Sequence, residues 1–311
     1  MENRFKIGHY TDIKKVTGCT VILCPDETVA SCYINGSAPG SREIALLEPE
    51  RKIQHIHALL LTGGSAFGLG AAEGVVQYLE EKGIGYQTPF AKVPLVPAAV
   101  IYDLYLGSPN GRPSARDAYE ACKEAKSSFD EQGSIGAGTG ATVGKWAGLE
   151  NSMKGGIGIA QEQLDNLWVK CVVIVNSVGD IVENDGQIIA GAIDNKRKFI
   201  ATSGRQNRLL SRETGFGQNT VLSVVLTNAQ LTKIEAHVIA KRATAGLARC
   251  IYPVSTSYDG DIVFVLACGR IKTDIDFLAE LSAEILRQGV ISGAYNASRI
   301  EGCLAVADLE M

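Results

Sequence analysis

The chain has 311 residues, of which 46% are hydrophobic and 21% charged, so one large globular domain or two can form. The net charge of −4, without a dense run of basic residues, argues against a nucleic-acid-binding surface. No apolar stretch reaches the roughly 18 residues of a membrane-spanning helix. The first residues, Met1-Glu2-Asn3-Arg4, lack the apolar core of a secretion signal, and we expect a cytoplasmic protein.

The cysteines and histidines show no pattern of a metal site. Eight cysteines are scattered without a Cys-x-x-Cys pair, and most lie in apolar runs, as reduced core cysteines of a cytosolic protein do. The four histidines lack metal-ligand spacing with acidic partners. We therefore expect neither a metal nor a cofactor.

The first half of the chain predicts strands mixed with helices. Gly83 is placed to end the first helix in the left-handed conformation, and Ser65 is placed to cap its start. The predicted elements are strands at 20–23, 29–34 and 56–61 and helices at 66–82 and 115–127.

The second half predicts further buried strands and two helices. A capping box, Thr232 with Glu235, marks the start of the first of these helices. The predicted strands lie at 169–175, 180–183, 188–192, 221–226 and 261–267, and the last helix spans 276–288.

A glycine-rich stretch, 136–145, resembles a phosphate-binding loop only in part. A P-loop needs a glycine five residues before its final glycine and Ser or Thr after the lysine. Thr139 and Trp146 occupy those positions, and no strand pattern precedes the stretch. Tight turns and close backbone contacts explain the glycines better than nucleotide binding does.

The pair Asn219-Thr220 joins a polar, glycine-bearing stretch to the apolar run 221–226. A threonine at a strand start is by itself only a good β-former. If the bond between the two residues breaks, Thr220 gains a free α-amine beside its hydroxyl, so nucleophile and general base lie on one residue. An α-amine titrates near ~7.7–8.0, which suits a general base at neutral pH.

Nearly the whole chain resembles the S58-type family of N-terminal-nucleophile peptidases and amidases. That family includes L-aminopeptidase/D-Ala-esterases, β-peptidyl aminopeptidases and 6-aminohexanoate-oligomer (nylon-oligomer) hydrolases. The resemblance is carried, in order, by 6–9, 17–21, 36–43, 61–69, 93–104, 136–145, 155–158, 219–220 and 257–264.

The resemblance implies cleavage between Asn219 and Thr220, with Thr220 as the nucleophile of the mature enzyme. Asn176 matches the asparagine whose side-chain amide helps to hold the oxyanion. Asp259 and Asp261 match a pair near the nucleophile's amine and hydroxyl, and residues two apart on one strand share a face. Without the resemblance, residues 258–261 are better explained as a solvent-exposed turn at the start of a strand.

Lys145 and Tyr102 match positions that line the same site in the nylon-oligomer branch. Peptidase members carry Ser and Glu at the acidic pair, whereas nylon-oligomer hydrolases carry two aspartates. The resemblance therefore favours an amide hydrolase acting on small peptides or ω-amino-acid oligoamides. An exo-acting aminopeptidase or D-aminoacyl esterase-amidase of the same family is the alternative.

The resemblance also implies an α/β fold, a four-layer αββα sandwich, in one domain that cleaves itself into 1–219 and 220–311. Members assemble as oligomers of such αβ units, and we expect a homo-oligomer. Two hypotheses of other classes remain open: an acyltransferase of the ornithine-acetyltransferase kind, and an uncleaved, non-catalytic or nucleotide-binding protein.

Overall fold

The computed structural model describes residues 4–201 and 219–309. The strands are β1 (Lys6–Asp12), β2 (Thr17–Leu23), β3 (Val29–Ile34), β4 (Ser41–Arg42), β5 (Ala58–Thr62), β6 (Tyr86–Gln87), β7 (Lys92–Val93), β8 (Ala98–Val100), β9 (Thr142–Val143), β10 (Met153–Lys154), β11 (Ile157–Leu164), β12 (Leu167–Ile174), β13 (Asp180–Val182), β14 (Ile188–Ala190), β15 (Leu222–Ala229), β16 (Ile251–Tyr252) and β17 (Ile262–Ile271). The α-helices are α1 (Ala72–Glu81), α2 (Ala115–Lys123), α3 (Lys233–Ala248) and α4 (Ile275–Tyr295).

Two five-stranded sheets form the centre of the fold, with strand orders β1-β2-β5-β8-β4 and β11-β12-β15-β17-β3. One apolar core fills the space between the two sheets. A second core lies between the first sheet and helices α1 and α2, and a third between the second sheet and α3 and α4. The predicted four-layer αββα sandwich is therefore confirmed.

The alternation of side chains along a strand explains the nearly unbroken apolar run at β15. Leu222, Val224 and Leu226 face the core between the sheets, whereas Val225 faces α3 and α4. Both faces of a central strand are buried in such a sandwich, so apolar residues dominate both faces, and even the polar Ser223, Thr227 and Asn228 of this strand are buried. The predicted strands at 221–226 and 261–267 are present as β15 and β17.

The strands predicted at 20–23 and 29–34 are present as β2 and β3, which lie in different sheets, so their connection crosses between layers. One local prediction differs from the structure. The helix predicted at 66–82 begins as a 3-10 helix over Ser65–Ala71, and its N-cap residue is Gly64, not Ser65. Gly83 does follow α1 in the left-handed region, with φ of 66°.

The later helices follow their sequence signals more closely. Thr232 and Glu235 form the predicted capping box at the start of α3. Helix α4 continues to Tyr295, beyond the predicted end at residue 288, and buries Val290 and Ala294 on the same face. None of the helices in the described ranges is long and apolar enough to cross a membrane.

The order of strands in the second sheet brings three distant segments to one edge. Strands β15 and β17 run parallel, with Leu222 opposite Ile262, so the residues before both strands are neighbours. Strand β12 runs antiparallel to β15, with Ile174 opposite Leu222, so the residues after β12 join them. The three segments around residues 176, 220 and 260 therefore lie next to one another.

Helices α3 and α4 pack so closely at Gly246 that no side chain fits there. A Cβ at this position would lie 2.0 Å from the carbonyl oxygen of Ala283. We predict that Gly246→Ala lowers the free energy of unfolding by about 1–3 kcal/mol, because the helices must move apart. Urea denaturation measures this. Gly70→Ala is the control, since a Cβ there meets nothing within 4 Å. Equal stability of the two variants would contradict the close contact.

Candidate active site

Five of the six residues singled out from the sequence form one buried cluster where β15 and β17 begin. Thr220, Asn176, Asp259, Asp261 and Lys145 are each at most 4% exposed. The aspartates precede β17 and lie in the loop before the strand, not on the strand as expected. Buried polar side chains need hydrogen-bond partners, and most of those here come from residues around the five, such as Thr142, Ser255 and Thr256.

The hydroxyl of Thr220 contacts the peptide bond that precedes it. Its Oγ1 donates to the carbonyl oxygen of Asn219 at 2.5 Å. The backbone N–H of Gly260 donates to the same oxygen at 2.6 Å. A Cβ on Gly260 would lie 2.8 Å from Thr220 Oγ1 and 2.6 Å from the carbonyl oxygen of Ala38, so a side chain at 260 would collide with the site.

The carboxamide of Asn176 is held in one orientation. Its Oδ1 accepts from the N–H of Thr142 at 3.1 Å and from Lys145 Nζ at 2.7 Å. The Thr142 N–H can only donate, and Lys145 Nζ donates here as well, so the two select the oxygen and turn Nδ2 the other way. Nδ2 is buried and has no hydrogen-bond partner among the described residues. It is a donor ready for an oxygen that carries negative charge.

Lys145 is a buried lysine next to the backbone of Asn176. Its Nζ donates to the carbonyl oxygen of Asn176 at 3.3 Å, and the N–H of Thr220 donates to that same oxygen at 2.9 Å. Burial lowers the pKa of Lys145 to about 7, and the carboxylate of Asp259 opposes the shift. The ammonium group and the Thr220 nitrogen thus share one acceptor.

The two aspartates have separate sets of donors. Thr256 binds Asp259 Oδ2 through its N–H at 2.8 Å and its hydroxyl at 2.7 Å. Ser255 binds Asp261 Oδ2 in the same way, at 3.2 Å and 3.0 Å. Asp261 Oδ1 accepts from the N–H of Val221 at 2.8 Å. Asp261 is therefore bonded to the residue that follows Thr220.

Ser255, Thr256 and the Gly260 amide did not emerge from the sequence as site residues. Thr256 and Asp259 are spaced as in a local side-chain turn, in which a carboxylate accepts a hydrogen bond from the backbone N–H three residues earlier. This signal predicts a turn, and it does not reveal that the turn holds two carboxylates beside Thr220.

Tyr102 is the sixth candidate, and it lies outside the hydrogen-bonded cluster formed by the other five. Its ring stacks on Tyr105, with centroids 6.5 Å apart and an angle of 15° between the planes. The Tyr105 hydroxyl bonds to the hydroxyl of Thr142, whose N–H holds Asn176. This aromatic pair thus connects Tyr102 to the cluster.

The pKa of Asp261 gives a pH dependence that can be measured. Burial, and next the charge of Asp259, raise this pKa to about 7, whereas an unfolded aspartate titrates near ~3.9. Between these values the folded chain keeps a proton that the unfolded chain has lost, so stability falls as pH rises through this window. We predict that Asp261→Asn removes this part of the fall in thermal unfolding temperature.

The control for this measurement is Asp276→Asn, because the Asp276 side chain is 82% exposed and paired with Arg242. It should leave the pH profile between about pH 4 and about pH 8 parallel to that of the wild type. An Asp261→Asn profile that is also parallel to the wild type would show that Asp261 does not titrate in this range.

Known proteins with similar sequences and structures include named aminopeptidases and oligoamide hydrolases. An uncharacterized aminopeptidase of Mycobacterium leprae is 37% identical over 86% of this chain and 77% of its own length. A 6-aminohexanoate-oligomer endohydrolase of a Kocuria strain is 29% identical over 89% of this chain and 80% of its own.

Solved structures share the fold over almost the whole chain. The L-aminopeptidase D-Ala-esterase/amidase of Ochrobactrum anthropi, a variant of the Ntn hydrolase fold, superposes with a TM-score of 0.76 at 16% identity. The match covers 99% of this chain and 90% of that one. A β-aminopeptidase of a Burkholderia strain gives 0.73 at 17% identity, covering 98% and 90%. Residues 4–305 match the family model of Peptidase family S58, so the chain belongs to that family.

Proposed function

We propose that the chain is a self-processing amide hydrolase whose nucleophile, Thr220, is freed by cleavage between Asn219 and Thr220. Membership of a peptidase family supports amide hydrolysis. The observation that carries the self-processing is the pair of hydrogen bonds on the Asn219 carbonyl oxygen, from Thr220 Oγ1 at 2.5 Å and from the Gly260 N–H at 2.6 Å. The nucleophile and an oxyanion donor thus meet at one peptide bond.

Cleavage proceeds by an acyl shift from nitrogen to oxygen. Thr220 Oγ attacks the carbonyl carbon of Asn219, and the hydroxyl proton passes to the Thr220 nitrogen as the C–N bond breaks. The Gly260 N–H stabilises the negative charge that develops on the carbonyl oxygen. The ester between Asn219 and the Thr220 side chain is then hydrolysed by water, which leaves a carboxylate on Asn219 and a free hydroxyl and α-amine on Thr220.

The two halves, 1–219 and 220–311, would stay together after cleavage because they share a sheet. β15 of the second half pairs with β12 of the first, and β17 pairs with β3. Buried leucines and valines of both halves fill the core between the sheets. Hydrophobic burial on this scale does not depend on the one peptide bond that is cut.

In the mature enzyme the α-amine of Thr220 acts as general base for its own hydroxyl. As Oγ attacks a substrate carbonyl, the amine takes the proton, and Asn176 Nδ2 donates to the oxyanion. The amine then returns the proton to the leaving nitrogen, and water hydrolyses the acyl ester. The ammonium group of Lys145 shares the Asn176 carbonyl with this amine, so a second positive charge is disfavoured and the amine stays neutral.

The substrates we propose are short amides, with ω-amino-acid oligoamides foremost. A nucleophile that carries its own base needs no long peptide to activate it. The aspartate pair and Lys145 match the nylon-oligomer branch, and relatives named 6-aminohexanoate-oligomer endohydrolase are 29% identical to this chain. Relatives named aminopeptidase point to aminoacyl amides as further substrates.

The processing step predicts the behaviour of two variants. Thr220→Ala has no hydroxyl and should remain a 311-residue, inactive chain. Thr220→Ser keeps a hydroxyl on the same atom and should still be cut before residue 220, although more slowly. Intact mass and N-terminal sequencing of the purified proteins measure both. A Thr220→Ala chain cut at this bond would disprove the mechanism.

The substrate class is tested by comparing linear 6-aminohexanoate oligomers with aminoacyl p-nitroanilides on the cleaved enzyme. We expect oligoamide hydrolysis, detected as newly formed amine ends, together with slower release of p-nitroaniline. Strong anilide turnover without oligoamide cleavage would assign the enzyme to the exo-acting aminopeptidases and leave the Thr220 mechanism intact. Transfer of an acetyl group to glutamate would instead indicate an acyltransferase.

A further inference from the structure

Lys154 is a fully buried lysine that the mechanism above does not use. It lies on β10, is 0% exposed, and its ammonium group donates to the carbonyl oxygens of Thr139 at 2.8 Å and Ala141 at 2.6 Å. Burial lowers its pKa to about 8, so the ammonium form still predominates at neutral pH. These carbonyls belong to the glycine-rich stretch that resembled a phosphate-binding loop.

The backbone of Lys154 and its side chain hold the same short segment. Strand β10 pairs with β9, and Lys154 lies directly opposite Thr142. The side chain donates to the carbonyls of Thr139 and Ala141, which precede Thr142 in the same segment. The segment 139–142 is thus fixed on one side by strand pairing and on the other by an ammonium group, which limits where the Thr142 N–H can point.

The Thr142 N–H is one of the two donors that orient Asn176. It binds Asn176 Oδ1 at 3.1 Å, opposite the unpartnered Nδ2. If segment 139–142 shifted, Oδ1 would keep only Lys145, a single flexible donor that permits rotation of the carboxamide. An oxyanion donor acts efficiently only when it is fixed before the reaction.

We propose that Lys154 is a positioning residue for the oxyanion donor: it fixes segment 139–142, whose Thr142 amide holds Asn176 with Nδ2 aimed at the site of attack. This inference rests on the proposed Thr220 mechanism and adds to it a residue remote from the reacting atoms. It also gives the glycine-rich stretch a role, as backbone that supplies carbonyls to a buried lysine.

The test is a comparison of two buried lysines. Lys154→Met should lower kcat for a small aminoacyl p-nitroanilide at least about tenfold, with KM within about threefold, because transition-state stabilisation is lost and substrate binding is not. The matched control is Lys170→Met. Lys170 is also buried, and it lies on β12, the strand that leads to Asn176. Its ammonium group binds the carbonyl oxygen of Phe129 at 2.7 Å and the carboxylate of Asp130 at 2.9 Å. It should keep the wild-type kcat.

A double-mutant cycle with Asn176→Ala separates positioning from general destabilisation. If Lys154 acts through Asn176, Lys154→Met should change kcat by less than about twofold when Asn176 is already alanine. Equal losses in both backgrounds, or a wild-type kcat for Lys154→Met, would overturn the inference. If Lys154→Met does not fold, Lys154→Gln, which keeps an N–H donor, is carried through the same cycle. If Asn176→Ala alone leaves kcat unchanged, Asn176 is not the oxyanion donor and the inference fails with it. Failure of the proposed function itself is distinct, because it would show as a Thr220→Ala chain that is cut or active.

Discussion

The parallel pairing of β15 with β17 is the constraint on which the site depends. Parallel neighbours place their starts at the same edge of a sheet, so the residue before one strand meets the residues before the other. Thr220 and the aspartate pair are about forty residues apart in the chain, and this pairing makes them adjacent. The helix α3, which carries the chain from one strand to the next, covers the sheet and closes the core beneath the site.

Burial of charge gives the site its chemistry. Lys145, Asp259 and Asp261 lie among strands with apolar side chains, where a charged form is costly. Burial lowers the pKa of Lys145 to about 7 and raises the pKa of Asp261 to about 7, so a base and an acid that ordinarily titrate far apart both titrate near neutrality. The pKa of Asp259 is raised as well. Short loops of Ser and Thr residues then supply the hydrogen bonds that keep these groups in place.

The sequence alone was sufficient to predict those strands and helices that have a strong local signal. The apolar run after Thr220 predicts a strand buried on both faces, and the capping box at Thr232 predicts the start of α3. The resemblance supplied the fold and five side chains that the structure brings together. The helix predicted from residue 66 was wrong in its first turns, where glycines at 68 and 70 accompany a 3-10 helix.

What the sequence could not reveal are contacts made by backbone atoms or by remote partners. The Gly260 N–H has no side chain to mark it, and only the crossing of loops places it on the Asn219 carbonyl. Lys154 resembles any other lysine until its carbonyl partners are known. Register and sheet order, which decide both contacts, are set by long-range packing and not by local pattern.

Residues before and after Asn219 share one sheet, and this changes how the molecule folds once the chain is cut. An uncut chain folds as a single molecule, at a rate independent of its concentration. Once cut, the same sheet would join two polypeptides, and refolding after denaturation would require their encounter in solution. Recovery would then depend on concentration, in the manner of an obligate heterodimer. Cutting would thus replace a folding equilibrium that is independent of concentration with one that dilution shifts toward the unfolded, separated chains.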